Sequence, residues 1–266
     1  MEPKIGLALG AGGARGLAHI GVLKAFEENQ IPVHYIAGSS IGAFVGALYA
    51  NNNDIKMIEK LAVHLKRKHW LDLTVPKLGF VTGDKIKELI RILTHGKNIE
   101  ELAVPLAIVA TDIEEGKRVV LKEGSIAEAV RASVSIPGIF VPERINGRLL
   151  VDGGVVERVP IHTVRELGAE LIIAVDVGRS EAKMEVKSIF DVMSQAIDIL
   201  EREVYHRQIL AADYLIKPDV SHKNTIDFSN LQEIIDEGYK TASASIAEIK
   251  ELINNWEGPL IEGAST

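Results

Sequence analysis

A serine hydroxyl is a poor nucleophile until a base takes its proton and a turn holds it clear of its neighbours. Ser40 stands at the centre of Gly38-Ser39-Ser40-Ile41-Gly42, a G-x-S-x-G pattern. In that pattern the serine occupies a strained turn between a strand and a helix, exposed at the apex. Gly38 and Gly42 suit such a turn, because the residues two before and two after the apex are forced together and a Cβ would clash. Ser40 would also sit at a helix N-terminus, where unpaired N–H groups and the dipole favour developing negative charge.

The base has two kinds of candidate. The chain has eight histidines, His19, His34, His64, His69, His95, His162, His206 and His222, and none carries a distinctive local signature. Of these, His222 falls in a late loop and would serve an ordinary serine–histidine triad. Asp152 is the other candidate. It ends the apolar run Leu149-Leu150-Val151 and is followed by Gly153 and Gly154, which leave it unshielded by neighbouring side chains. A free aspartate, with a pKa of about 3.9, is a weak base at neutral pH. Burial beside a serine would raise that value and let the carboxylate take the proton directly.

A glycine-rich loop, Gly10-Ala11-Gly12-Gly13-Ala14-Arg15-Gly16, follows the first apolar run. A dinucleotide-binding G-x-G-x-x-G starting at Gly10 would need glycine where Arg15 stands, and an acidic residue at the end of the second strand, where the chain instead delivers Gly38 and a serine. Such a loop can also aim consecutive N–H groups at an oxyanion, each donor being worth roughly 3–4 kcal/mol in the transition state.

These groups are far apart in sequence, so the elements between them must bring them together. Ile5 to Leu9 and Val33 to Ala37 read as buried strands, and Leu17, Ile20, Leu23 and Phe26 recur at helical spacing between them. Strand, helix, strand, helix predicts a parallel sheet, with the glycine loop and the elbow side by side at its carboxyl edge. Further on, the pattern predicts helices over Asp54–Trp70 and Asp84–Leu93, and strands over Val104–Ala110 and Arg118–Leu121. A capping box at Ser125–Glu128 opens a short helix. A helix near Ile161–Leu167 precedes a strand over Leu171–Val177. Ser188–Ala212 reads as a long amphipathic helix whose apolar face, Ile189, Val192, Ala196, Leu200 and Val204, is expected in the core. A short strand, Tyr214–Ile216, and a last helix, Leu231–Ile253, complete an α/β domain spanning 1–266.

Hydrophobic residues make up 47% and charged residues 25%, as in ordinary globular proteins, and the formal net charge of −7 argues against a nucleic-acid partner. With no cysteine there is neither a thiolate nucleophile nor a cysteine-held metal. No signal peptide or membrane span is legible, so the expected location is the cytoplasm, with any membrane contact peripheral at the inner surface. Lys66-Arg67-Lys68-His69-Trp70 combines cations with an interfacial aromatic that could touch such a surface, although cations at a solvated helix end read the same way. Asp112, Glu114 and Glu115 read as a polar turn rather than a cation loop.

Taken together, G-A-G-G-A-R-G, G-S-S-I-G, D-G-G and the stretch from Arg131-Ala132-Ser133 through Pro137 and Phe140 to Pro142 resemble the patatin-like phospholipase family, and above all its small bacterial members. The resemblance spans roughly Ile5 to Pro160. It implies a three-layer α/β fold with a mostly parallel central sheet, and a Ser–Asp dyad in which Ser40 is the nucleophile and Asp152 its base. It also implies an oxyanion hole from the N–H groups of Ala11, Gly12 and Gly13, no cofactor or metal, and lipid esters such as phospholipids and lysophospholipids as substrates. Family members commonly carry glycine at the place of Ala11, which makes that donor the least secure. Arg15 matches the family's basic loop position, either as an anion contact or as an anchor of the loop. Two other readings fit the same pattern: a lipid-binding protein without turnover, and an acyltransferase that shares the acyl-enzyme step.

Overall fold

The computed structural model describes residues 2–64, 72, 74–75, 77–178, 186, 188–220 and 230–258. The first elements are β1 (Ile5–Leu9), α1 (Ala18–Glu28), β2 (Tyr35–Ser39), α2 (Ile41–Ala50), α3 (Ile55–His64) and α4 (Asp84–Leu93). There follow β3 (Leu106–Asp112), β4 (Lys117–Leu121), α5 (Ile126–Ser133), β5 (Glu143–Ile145), β6 (Arg148–Asp152) and α6 (Ile161–Glu166). The last are β7 (Leu171–Val175), α7 (Ile189–Gln208), β8 (Tyr214–Ile216) and α8 (Leu231–Asn254). Among the described residues these strands form a single sheet in the order β5-β6-β3-β2-β1-β7-β8, with β4 paired to β3. The four pairings from β3 through β2, β1 and β7 to β8 are parallel, and β4, β5 and β6 add antiparallel partners at one end.

The two faces of the sheet are built from different residues, and β1 shows why. Ile5, Leu7 and Leu9 alternate with Gly6 and Ala8, and side chains in a strand alternate between faces. Register carries this alternation across the sheet. Leu7 lies beside Ile36 and Ile173, while Ala8 lies beside Ala37 and Ala174, and Ala37 beside Ala107. The bulky face packs with residues of α1, α2, α3, α5 and α8 in the main core. Each such Leu or Ile contributes about 2 kcal/mol on burial, which suits the face carrying the longer helices. The alanine face meets Val159, Ile161 and Val164 around the start of α6. There the backbone approach is close: a Cβ on Gly6 would stand 2.4 Å from the Ala169 Cβ.

Several expected boundaries move. β2 runs two residues further than Val33–Ala37, because Leu9 pairs with Gly38 and carries the ladder up to the elbow. Likewise β3 extends to Asp112, held by β4 and β6, and β7 ends at Val175. Strand β5 has no sequence periodicity. It exists because Asn146 and Gly147, at φ 50° and 81°, turn the chain back so that Ile145 pairs with Arg148. Asn-Gly with both residues at positive φ is the favoured two-residue hairpin turn, so the signal lies in the dipeptide. The capping box at Ser125 forms by half: its hydroxyl accepts the Glu128 N–H, but the Glu128 carboxylate turns to Lys87 at 3.1 Å. The Lys66–Trp70 stretch lies outside the described residues.

Helix α7 departs most from expectation. Ile189, Val192 and Leu200 are 63%, 54% and 68% exposed, so the apolar face points to solvent rather than to the core. Its inward side carries acids. Asp191 accepts the N–H and hydroxyl of Ser188 at 2.8 Å each, and Asp198 pairs with Arg15 at 3.5 Å. The inward side thereby supplies a carboxylate to the buried Arg15 guanidinium, a geometry that suits a buried arginine.

Candidate active site

Ser40 sits between β2 and α2 with φ 54° and ψ −122°, a left-handed conformation that costs a non-glycine residue roughly 1–3 kcal/mol. The tight turn requires glycine on both sides. A Cβ on Gly42 would fall 2.1 Å from the Leu9 carbonyl oxygen, and one on Gly38 would fall 2.5 Å from the Ala43 backbone. A serine at the start of a helix ordinarily caps it with its own hydroxyl. Here no side-chain cap forms. Instead the Ser40 Oγ donates to Asp152 Oδ2 at 2.5 Å, across 112 residues of sequence. The Ser40 carbonyl accepts from Ala43 and Phe44, and among the described residues the N–H groups of Ile41 and Gly42 have no protein acceptor.

Asp152 ends β6 and is buried, as is Ser40, with only 4% and 6% of their surfaces exposed. Its Oδ1 accepts the Gly154 N–H at 2.8 Å, which leaves Oδ2 for the serine. Burial pushes its pKa up to about 6, against the opposing bonds from Ser40 and Gly154, so the carboxylate is ionised at neutral pH yet far more basic than a solvated one. Gly153 admits the close approach of β3, since a Cβ there would stand 2.2 Å from the Val109 carbonyl oxygen.

The glycine loop lies directly against the elbow. A Cβ on Gly42 would also approach the Gly10 carbonyl oxygen to 2.9 Å, and one on Gly16 would strike the Ile41 side chain. One expected donor is engaged elsewhere: the Ala11 N–H donates to the Arg158 carbonyl at 2.9 Å. Ala11 does not adopt positive φ, so its methyl is tolerated, but its N–H is taken up within the protein. The N–H groups of Gly12 and Gly13 have no protein acceptor among the described residues, and Gly13 takes φ 56°. Arg15 is buried against the protein's own groups. It is 1% exposed, donates from Nε to the Gly12 carbonyl at 3.3 Å, and pairs with Asp198.

Among the described residues no histidine bonds to Ser40 or Asp152. His19 is buried and held neutral, its pKa lowered to about 4 by burial, and its Nε2–H donates to the Gly10 carbonyl at 2.8 Å. The His34 Nδ1 accepts the Ile5 N–H. His69 and His222 lie outside the described residues, and so does any triad through His222. Asp112 serves its turn, accepting the N–H groups of Glu114 and Glu115 at 3.1 Å each.

The sequence pattern assigns no role to two residues near Ser40 and Asp152. Ser133 accepts the Ser40 N–H at 2.9 Å and donates to the Val109 carbonyl at 2.6 Å. Ser135 accepts the Asp152 N–H at its own carbonyl, also at 2.9 Å. Both belong to the Arg131–Pro142 stretch, but nothing in their spacing points to residues 40 or 152.

Among the described residues no helix is long and apolar enough to cross a membrane. The chain is 38% identical over 183 residues to an uncharacterized NTE family protein of Mycobacterium tuberculosis, covering 68% of this chain and 51% of that one. Against a lysophospholipase NTE1 of Pyricularia oryzae it is 30% identical over 285 residues, covering 93% of this chain but 19% of the relative. It thus spans about half or less of the length of these relatives. In three dimensions it is similar to VipD from Legionella pneumophila, with a TM-score of 0.67 at 14% identity over 93% of this chain and 67% of that one, which establishes a shared fold. The family profile of patatin-like phospholipases matches residues 7–165, the stretch that carries the glycine loop, the elbow and the aspartate, and the chain belongs to that family.

Proposed function

We propose that this protein is a serine ester hydrolase acting on phospholipids, lysophospholipids or related lipid esters through a Ser40–Asp152 dyad. The observation that carries the reading is the 2.5 Å bond from the Ser40 hydroxyl to a buried carboxylate, at a residue strained into positive φ. Ser40 Oγ attacks the ester carbonyl carbon as Asp152 takes the hydroxyl proton, and the carbonyl π pair moves onto oxygen. Gly12 and Gly13 donate to that oxyanion, close to the N-terminus of α2. Collapse expels the alcohol, which recovers the proton from Asp152, and leaves an acyl-serine. Water then attacks the acyl carbon with Asp152 as base, releasing the fatty acid and restoring the hydroxyl.

The reading takes residues 1–266 as one α/β domain working in the cytoplasm, in keeping with a cysteine-free chain. Peripheral contact with a lipid aggregate is part of it. Helix α7, joined to the glycine loop through Asp198 and Arg15, offers Ile189, Val192, Ile199 and Leu200 to such a surface.

Labelling with a fluorophosphonate probe, followed by mass mapping, tests the nucleophile. Ser40 is the expected point of attachment, and modification of any other residue instead would remove the proposal. The base is tested by pH. Asp152 must be ionised to accept the proton, so kcat/KM on a nitrophenyl ester should fall tenfold per unit below pH of about 6 and level off above it. A profile that stays flat down to pH of about 4.5 would rule out Asp152.

A further inference from the structure

The strain at Ser40 needs something to hold it, since a residue at φ 54° persists only where its surroundings over-determine its conformation. Its N–H is the point of attachment. That group donates to the Ser133 hydroxyl at 2.9 Å, and the same hydroxyl donates onward to the Val109 carbonyl on β3 at 2.6 Å. Ser133 has no exposed surface, so neither bond competes with water. Two residues later the chain reaches the other half of the dyad. The Ser135 carbonyl accepts the Asp152 N–H at 2.9 Å, while the Thr111 hydroxyl donates to the Asp152 carbonyl at 2.8 Å.

The segment that makes both attachments is itself held. The buried Arg131 guanidinium donates to the Ser135 hydroxyl and to the carbonyls of Thr82 and Val141. Ser135 in turn donates to the Arg131 carbonyl at 2.7 Å. One helix end therefore grips the main chain of residue 40, just after β2, and that of residue 152, at the end of β6. Resting on the dyad reading above, we propose that the end of α5, Ser133 to Ser135, is a positioning element that sets the distance between nucleophile and base. Ser133 fixes the backbone of Ser40, and Ser135 that of Asp152. Neither touches substrate.

Ser133→Ala tests this. It deletes the acceptor for the Ser40 N–H and lets the elbow relax away from Asp152. Because a displacement of about 1 Å can cost 10²-fold, kcat on a nitrophenyl ester should fall about 100-fold with KM within about twofold of wild type. Fluorophosphonate labelling of Ser40 should slow in parallel. The acid limb of the pH profile should also move to higher pH, because the Ser40 bond holds the Asp152 pKa down and would be weakened. A role in folding alone would move none of these. A fall in kcat smaller than about tenfold, or a change confined to KM, overturns the proposal.

If the alanine variant does not fold, Ser133→Thr and Ser133→Val decide the matter, since they match in shape and differ in the hydroxyl. Threonine should be labelled at least about tenfold faster than valine, and equal rates overturn the proposal. Ser40→Ala, assayed alongside, separates the two levels. Its retention of esterase activity would sink the dyad itself, whereas an inactive Ser40→Ala beside a Ser133→Ala of wild-type rate would sink only the positioning role.

Discussion

Asp152→Asn is expected to abolish ester hydrolysis and, at pH of about 7.5, to raise the melting temperature. Asparagine keeps the shape of the side chain and can still accept the Gly154 N–H, but it cannot take a proton from Ser40. Loss of a catalytic base or nucleophile of this kind costs roughly 10⁴-fold or more in kcat, and Ser40→Ala should fall as far. The gain in stability follows from the raised pKa. A carboxyl at about 6 in the folded protein, against an ordinary value of 3.8, binds its proton more tightly when folded. Its contribution to stability is therefore intact below pH of about 3.8 and is lost as the pH climbs to about 6. Above that, the ionised buried group costs about 3 kcal/mol, because the folded and unfolded values lie about two pH units apart. Asparagine removes this cost, so the variant should melt roughly 5 °C or more above wild type at neutral to mildly alkaline pH. The difference should shrink steadily as the pH falls toward about 4. Differential scanning calorimetry at the two pH values, with an esterase assay, checks both halves. Activity within tenfold of wild type would reject Asp152 as the base, and an unchanged melting temperature would reject its desolvation.

The second large effect belongs to Gly42. Replacing it with alanine puts a Cβ 2.1 Å from the Leu9 carbonyl oxygen and 2.6 Å from the Leu9 carbonyl carbon. No flexible side chain stands there to give way. Leu9 is locked by register to Gly38 on one side and Val175 on the other, so the elbow and β1 must separate. Overpacking of this kind costs about 3 kcal/mol or more, or roughly 10 °C in melting temperature. Activity should be lost with it, because Gly10 and the donors of the glycine loop move with β1. Gly46→Ala, one turn further along α2, is the control. Its Cβ would stand 3.0 Å from the Ile36 Cγ2, a side-chain methyl rather than backbone, which needs to give by only tenths of an ångström, and alanine favours helix. Thermal melts of the two variants should differ by several degrees, and equal melts would show that the contact at Leu9 yields easily.

What can be read from the sequence is whatever a short window encodes. Glycine at positions 38 and 42 around a serine, a strand run into Asp152-Gly153-Gly154, and the big-small alternation of Ile5-Gly6-Leu7-Ala8-Leu9 each reflect local steric rules, and each element stands close to where those rules put it. The hairpin at Asn146-Gly147 is equally local, but Glu143–Ile145 lacks the periodicity that would mark it as a strand.

Other features depend on partners distant along the chain. The Ala11 N–H is a reasonable oxyanion donor by its place in the loop, and only the arrival of the segment after β6 shows that Arg158 takes it. Helix α7 turns Asp198 inward to Arg15, about 180 residues upstream, and Leu200 outward, which the spacing of its own apolar residues does not foretell. Hydrogen-bond partners and the rotation of a helix are properties of pairs, and a pair separated by a hundred residues leaves no trace in the spacing of either member. The sequence by itself therefore determined the turn that strains Ser40 and the strand that ends at Asp152, because glycine sterics and a short apolar run act within a few residues. Tertiary structure alone decided that their oxygens meet at 2.5 Å, and that the end of α5 holds both backbones, because those distances depend on the packing of the whole sheet.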